Sequence, residues 1–165
     1  MKSAFILLFL IVTLMNVWAW QMLPDKVATH FGENGRPDGW MSKDTNFLIM
    51  QALYLFLFLM FYYTPVLIFK TSAKWVSLPN REYWLCDENR EITQKKISSG
   101  MYEYGIYLFL FFAFLGYLTL QANLNPPVRL DESAFLIALV IFLSLTIYWT
   151  VRFILMFRLP KNEHR

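Results

Sequence analysis

The residues best suited to chemistry in this sequence lie together in one polar stretch, residues 23–45. Here His30 has Asp25 and Asp38 close in sequence, and imidazole and carboxylate groups are ligands that zinc accepts. The spacing matches no established metal motif, and no second histidine lies nearby. The favoured interpretation is therefore a histidine that makes a hydrogen bond or serves in recognition, and a metal site of His30, Asp25 and Asp38 is the alternative.

The same stretch carries turn signals that predict a compact loop. Asn34-Gly35 and the string RPDGW at residues 36–40 combine the positive φ of glycine, the fixed φ of proline and local hydrogen bonds from asparagine or aspartate. Phe31 and Trp40 are apolar anchors, and together with His30, Asp25 and Asp38 they form the predicted ligand-binding surface. Structural roles in the turns are predicted for Pro24, Gly32, Gly35, Pro37 and Gly39.

A second polar stretch, residues 70–100, mixes aromatic and basic side chains. That mixture is typical of a segment on the membrane surface, with aromatic rings at head-group depth and charges in water. Residues 87–97 are predicted to form a short amphipathic helix there. The alternative is a docking surface for a cytoplasmic partner, formed by Asn80, Arg81, Tyr83 and Trp84.

The elements that must position these residues are membrane helices. Of the 165 residues, 57% are hydrophobic and 16% are charged, an apolar share above that of ordinary soluble domains. Four continuous apolar runs are each long enough to cross about 30 Å of hydrocarbon as a helix. They cover residues 3–22, 47–69, 101–121 and 134–157. We therefore predict an all-α integral membrane protein, with residues 1–165 forming a single four-helix bundle.

The expected helix starts are marked by residues that cap free backbone N–H groups. These caps are Asp44 or Thr45 for the second helix, Ser98 or Ser99 for the third, and Asp131 or Ser133 for the fourth. The first run shares features with a secretory signal peptide. Because its apolar segment is longer than a usual signal core, we expect it to be retained as a helix.

The distribution of lysine and arginine predicts the orientation. These residues are concentrated in residues 70–100 and in the C-terminal tail, at Arg158, Lys161 and Arg165, so both segments are expected to be cytoplasmic. Both termini are then inside, and residues 23–45 face away from the cytoplasm. The net charge of +3 thus indicates topology, and nucleic-acid binding is not expected.

Polar residues within the apolar runs are costly in hydrocarbon and need partners. Asn16 and Gln51 are predicted to make hydrogen bonds between helices. Glu103 and Arg152 lie at similar depth in the third and fourth runs and are able to pair. The favoured interpretation is that both extend separately to the membrane interface.

Residues 23–43 also resemble a known family. The string LPDKVATHFG at residues 23–32, followed by GRPDGW at 35–40 and SK at 42–43, resembles the signature of the bacterial membrane family called domain of unknown function 1648. That domain also forms the N-terminal part of SdpI-type immunity proteins. The string LPNREYWL at residues 78–85 is similar to a feature of its short stand-alone members. The resemblance implies a multi-pass protein of the bacterial cytoplasmic (inner) membrane. The chain is expected to lack the additional helices of the longer immunity proteins, and this departure argues against toxin immunity.

Two functions are compatible with these features. The favoured one is a non-enzymatic membrane protein whose extracytoplasmic loop recognises a peptide, a lipid or another membrane protein, with immunity-like protection or envelope sensing as special cases. No cofactor is expected, and membrane lipid is an expected partner. The alternative is a small membrane enzyme or metal-binding protein that uses His30 with the nearby carboxylates.

Overall fold

Four long helices make up most of the chain. The structure is a computed structural model that describes residues 1–159, so the predicted basic tail residues Lys161 and Arg165 lie outside the described part. The helices are α1 Lys2–Met22, α2 Lys43–Leu67, the short α3 Arg81–Trp84, α4 Arg90–Leu124 and α5 Glu132–Met156. Helices α1, α2, α4 and α5 are long and apolar enough to cross a membrane. The prediction of four membrane helices is confirmed.

Two of the predicted caps differ from the structure. Helix α2 begins after Ser42, whose hydroxyl accepts a hydrogen bond from the backbone N–H of Thr45 at 3.1 Å, so Thr45 is a donor to the cap and not the cap itself. Asp131 caps α5 as predicted, accepting from the N–H of Ala134 at 2.9 Å. Ser98 and Ser99 cap nothing, because α4 continues through both.

Helix α4 is longer than predicted. The separate amphipathic helix expected at residues 87–97 is wrong, because α4 runs from Arg90 to Leu124 without interruption. No proline interrupts this segment, and Gly100 fits inside the helix because Phe153 of α5 packs over it. A β-carbon at Gly100 would lie 2.7 Å from the Phe153 ring. The start of α4 therefore belongs to the helix bundle.

The main core lies between α1, α2 and α4. It is formed by Phe5 and Val12 of α1, Tyr54 and Phe61 of α2, and Phe109 of α4. The Phe5 ring is fully buried and occupies the space beside Gly105 of α4, where a β-carbon would overlap the ring.

One predicted polar contact between helices is present and the other is not. The Asn16 amide of α1 donates to the carbonyl of Phe47 in α2 at 3.3 Å, as predicted for a bond between helices. The Gln51 side chain makes no such bond to any of residues 1–159.

Helix α5 packs mainly against α4. The Trp149 indole donates to the carbonyl of Gly100 at 2.9 Å, and Arg152 forms an ion pair with Glu103. The expectation that Glu103 and Arg152 extend separately to the interface is wrong. Their positions on facing sides of α4 and α5 bring the two charges together, and the Glu103 side chain is only 11% exposed.

The chain is not all-α, because a β-hairpin joins α1 to α2. Strand β1 is Lys26–Phe31, strand β2 is Pro37–Ser42, and the two pair antiparallel. The end of the bundle that carries this pair is called the hairpin end. It also contains the C-termini of α1 and α4 and the N-termini of α2 and α5.

Candidate functional site

The hairpin forms because a short turn reverses the chain between two extended segments. The turn is a single 3-10 turn, Glu33–Gly35, in which Asn34 has φ 57° and Gly35 has φ 66°. Asparagine and glycine are the residues that adopt this left-handed region most readily. The register is regular from Lys26↔Ser42 to Ala28↔Trp40 and becomes irregular at His30, which pairs with Gly39. Residues 23–45 are thus organised by strand pairing as well as by turns.

Asn123, the second-last residue of α4, attaches the hairpin to the helices. Its side-chain oxygen accepts from the N–H of Ala28 at 2.7 Å, and its amide donates to the carbonyl of Ala28 at 3.0 Å. Ala28 is fully buried and Asn123 is 7% exposed. The asparagine side chain therefore provides hydrogen-bond partners for the N–H and the carbonyl of Ala28, as the backbone of a third strand would.

Apolar contacts reinforce this attachment. Val27 is 1% exposed and packs with Leu23 and with Leu120 of α4 in a small second core. The sequence interpretation did not include Asn123 among the site residues. The available signal was a polar side chain at the end of an apolar run, which requires a hydrogen-bond partner when it is buried.

A second attachment holds the tip of the hairpin to the segment before α5. The N–H of Leu130 donates to the carbonyl of Gly35 at 2.9 Å, and the Arg129 guanidinium donates to the carbonyl of Asn34 at 2.6 Å. Gly35 is buried so closely against Leu130 that a β-carbon would overlap the Leu130 carbonyl. Only glycine meets both the positive φ and this close approach.

His30 and Asp38 lie side by side across the hairpin. The Nδ1 atom of His30 contacts the Asp38 carboxylate, and the two side chains are 76% and 54% exposed. Gly39 allows this arrangement, because a β-carbon there would lie 2.8 Å from the His30 β-carbon. The hydrogen-bonded histidine expected from the sequence has Asp38 as its partner.

Asp25 lies apart from this pair. Its carboxylate forms an ion pair with the Lys43 ammonium at 3.0 Å. Within residues 1–159, no group of three or more histidine, cysteine, aspartate or glutamate side chains is placed to hold a metal ion. The alternative site of His30, Asp25 and Asp38 is therefore not assembled as a three-residue cluster.

The other predicted hairpin residues lie in four settings. Trp40 is 43% exposed, with the Lys26 ammonium 5.9 Å from its ring centroid. Phe31 is partly buried and faces the cavity described next. Gly32 approaches Asp38, whose carboxylate would lie 2.8 Å from a β-carbon at that glycine. Pro24 and Pro37 flank the strands, Pro24 before β1 and Pro37 at the start of β2.

A cavity of about 420 Å³ lies beneath the hairpin. The hairpin contributes Thr29, His30 and Phe31 to its wall, and the helices contribute side chains from α1, α2, α4 and α5. The volume falls in the range of small-molecule sites, about 300–1,000 Å³. The helix residues include Val12, Asn16, Met50, Tyr54, Phe112, Gly116, Leu120, Glu132 and Phe135.

Gly116 of α4 faces open space inside this wall. No atom lies within 4 Å of the position that its β-carbon would occupy, in contrast to the crowded Gly100 and Gly105 of the same helix. The side chains of Thr29 and Glu132 make no hydrogen bond or ion pair with any of residues 1–159. The cavity thus combines an apolar wall with polar groups that are free to bind a ligand.

The residues predicted as a cytoplasmic partner surface serve mainly within the chain. The Asn80 amide and the Trp84 indole both donate to the carbonyl of Phe157, at 2.9 and 2.8 Å, just after α5 ends. Trp84 is 4% exposed, so its side chain is packed inside the chain. The Arg81 guanidinium donates to the carbonyl of Lys74 at 3.1 Å, and Tyr83 stacks edge-on against Trp84.

The comparisons with known proteins identify one domain. Residues 7–55 match the family model described as Domain of unknown function (DUF1648). The match includes most of α1, the complete hairpin and the first half of α2, which is less than half of the chain. No curated protein and no solved structure matches the chain. Its four apolar helices and this match identify the chain as a multi-pass membrane protein that carries a DUF1648 domain at residues 7–55.

Proposed function

We propose that this protein is a non-enzymatic binding protein of the bacterial cytoplasmic membrane, and that the hairpin and the cavity beneath it form its ligand site. In this proposal both termini are cytoplasmic and the hairpin faces the outside. The observation that carries the proposal is the cavity of about 420 Å³ between the hairpin and the membrane helices. Envelope sensing and immunity-like protection are two roles that such a site would serve.

Two features of the site support binding. The hairpin is held in place at Asn123 and at Gly35, so the cavity has a fixed cover. A preformed site loses less conformational entropy on binding than a mobile loop does. The family match covers the hairpin together with parts of the two helices that it joins, so the matched segment contributes much of the cavity wall.

The proposal is tested by photo-crosslinking in intact cells. A photoreactive phenylalanine analogue replaces Phe135, which lines the cavity, or Phe114, which lies on α4 outside the cavity lining and is 40% exposed. We expect a discrete adduct from position 135 that decreases strongly when Gly116→Phe fills the cavity, whereas Gly116→Ala leaves it intact. Adducts at position 114 should not respond to either substitution. Equal adducts at both positions, unaffected by Gly116→Phe, would contradict the proposal.

The His30–Asp38 contact supports a second candidate, an enzyme or metal-dependent protein in which Asp38 orients the imidazole. The substitution His30→Ala separates the two candidates. Stoichiometric metal in the purified protein that disappears in His30→Ala would favour the second candidate. Retained adduct formation at Phe135 in His30→Ala, with unchanged metal content, would favour the binding protein.

A further inference from the structure

The wall of the cavity has two chemically different parts. Between the helices it is mainly apolar, with side chains such as Val12, Met50 and Phe112, although the Asn16 amide and the Tyr54 hydroxyl also belong to this part. Towards the hairpin it contains the Thr29 hydroxyl, the His30 imidazole and the Glu132 carboxylate. This division matches an amphiphile, whose apolar chain would lie between the helices and whose polar head would lie at the hairpin.

The length of the cavity matches one leaflet of a bilayer. On α4 the lining residues extend from Phe112 to Leu120, eight residues apart, which corresponds to about 12 Å along the helix axis. The lining residues of α2, from Asn46 to Tyr54, cover the same distance. Since the hydrocarbon core is about 30 Å thick, the cavity reaches from the hairpin end to near the membrane centre.

The cavity is also accessible from the side of the bundle. Four large apolar lining residues are exposed: Met15 and Trp18 of α1 at 37% and 54%, Tyr117 of α4 at 48% and Leu136 of α5 at 50%. In a membrane these surfaces contact lipid. A lipid chain therefore reaches the cavity without passing through water.

The charged residues in the lining itself favour a cationic head group. Glu132 is the only carboxylate that lines the cavity, and none of the lining residues in the described chain is a lysine or arginine. Lys43 is paired with Asp25, whereas Arg129 donates to the neutral carbonyl of Asn34 and keeps its positive charge beside the hairpin tip. His30 brings the Asp38 carboxylate close to the same end.

We infer that the ligand is a lipid that carries an ammonium head group, with an acyl chain between the helices and the ammonium beside Glu132. This inference rests on the proposed ligand site and adds the chemical class of its occupant. The ammonium donates hydrogen bonds and is attracted to the carboxylate, whereas a purely anionic head group would be repelled by Glu132. Thr29 supplies a further hydrogen-bonding group for the head.

The test is native mass spectrometry of the full-length protein in detergent, with phosphatidylethanolamine and phosphatidylglycerol of identical acyl chains as competing probes. We expect the unmodified protein to prefer phosphatidylethanolamine by about fivefold, the size of a partly exposed ion pair. Glu132→Gln should abolish the preference while lipid binding persists. Glu33→Gln, which removes a hairpin carboxylate outside the cavity lining, is the matched control and should keep the preference.

The outcomes separate this inference from the proposed function. If Gly116→Phe prevents binding but neither head group is preferred, or if Glu132→Gln keeps the preference, the ammonium inference is overturned and the cavity remains a binding site. If Gly116→Phe leaves binding of both lipids unchanged, both proposals fail. Thermal unfolding of each variant shows whether it is folded, and Gly116→Ala provides the comparison for Gly116→Phe.

Discussion

The contact between Asn123 and Ala28 leads to a quantitative prediction about how the hairpin is held. Asn123→Leu keeps a side chain of similar size but removes both hydrogen bonds to Ala28. The N–H and carbonyl of Ala28 are then buried without partners. Each unsatisfied group costs about 1–3 kcal/mol, so we expect the hairpin to be held about 2–6 kcal/mol less tightly.

Hydrogen exchange measured by mass spectrometry, on full-length protein in lipid nanodiscs, reports this change. Because about 1.4 kcal/mol corresponds to a tenfold change, the smallest expected effect is about 30-fold faster exchange of protected amides in residues 26–42. The helices α1 and α2 should keep their protection, which distinguishes detachment of the hairpin from general unfolding.

The matched control is Asn125→Leu. Asn125 lies two residues further along and bonds only to Gln121 within residues 1–159, so its replacement leaves the attachment intact. Exchange in residues 26–42 should be unchanged in this variant. Equal exchange in the Asn123→Leu and unmodified proteins, or equal acceleration in both variants, would refute the assigned role of Asn123.

Three further predictions concern stability. Gly105→Ala should lower the thermal unfolding temperature in detergent, since its β-carbon overlaps Phe5 and overpacking costs about 1–3 kcal/mol, while Gly116→Ala should be neutral or stabilising. An unchanged temperature for Gly105→Ala would contradict the packing of α1 on α4. Gly35→Ala should accelerate hydrogen exchange in residues 26–42, because alanine at φ 66° costs about 1–2 kcal/mol and also overlaps the chain beside it. Unaltered exchange would exclude this attachment. Arg152→Met should destabilise the protein by about 1–3 kcal/mol, because Glu103 loses its ion-pair partner and keeps only the hydrogen bond from the Tyr107 hydroxyl. Adding Glu103→Met should restore part of the loss, so a double variant no more stable than the single one would refute the ion pair.

The membrane helices could be predicted from sequence because their signal is local. A continuous apolar run of sufficient length requires a helix in lipid, whatever it packs against. The boundaries of α1 and α5 were accordingly close, whereas the start of α4 was predicted about eleven residues too late, at residue 101 instead of Arg90. The hydropathy of the sequence falls where a helix extends beyond the apolar part of the membrane, although the helix itself continues, so the apolar run marks only part of α4.

The hairpin could not be predicted in the same way. Strand β2 contains Pro37 and Gly39, both of which are poor strand formers, so the local pattern indicated turns. The strand is stabilised by pairing with β1, and β1 is in turn fixed by Asn123, 95 residues away from Ala28. A contact between residues so far apart in the chain produces no pattern in the neighbouring sequence.

The ion pair and the cavity depend on how the helices face one another. The sequence placed Glu103 and Arg152 at similar depth but gave no information about rotation of α4 and α5 around their axes. The cavity likewise depends on which faces of the helices are separated near the hairpin. At Gly116 no atom lies within 4 Å of the position that a β-carbon would occupy. Of the site residues, His30 and Phe31 were identified from the sequence, whereas Gly116 and Glu132 were not.

The most direct test of the binding site is a structure determined by electron cryomicroscopy in nanodiscs made from native membrane lipid, with a rigid fiducial for this small chain. We expect a hairpin docked on Asn123 and elongated density in the cavity, extending from Glu132 and Phe31 towards Phe112 past Gly116. A cavity closed by movement of the helices, or one without density for a bound molecule while lipids are ordered elsewhere around the bundle, would contradict it.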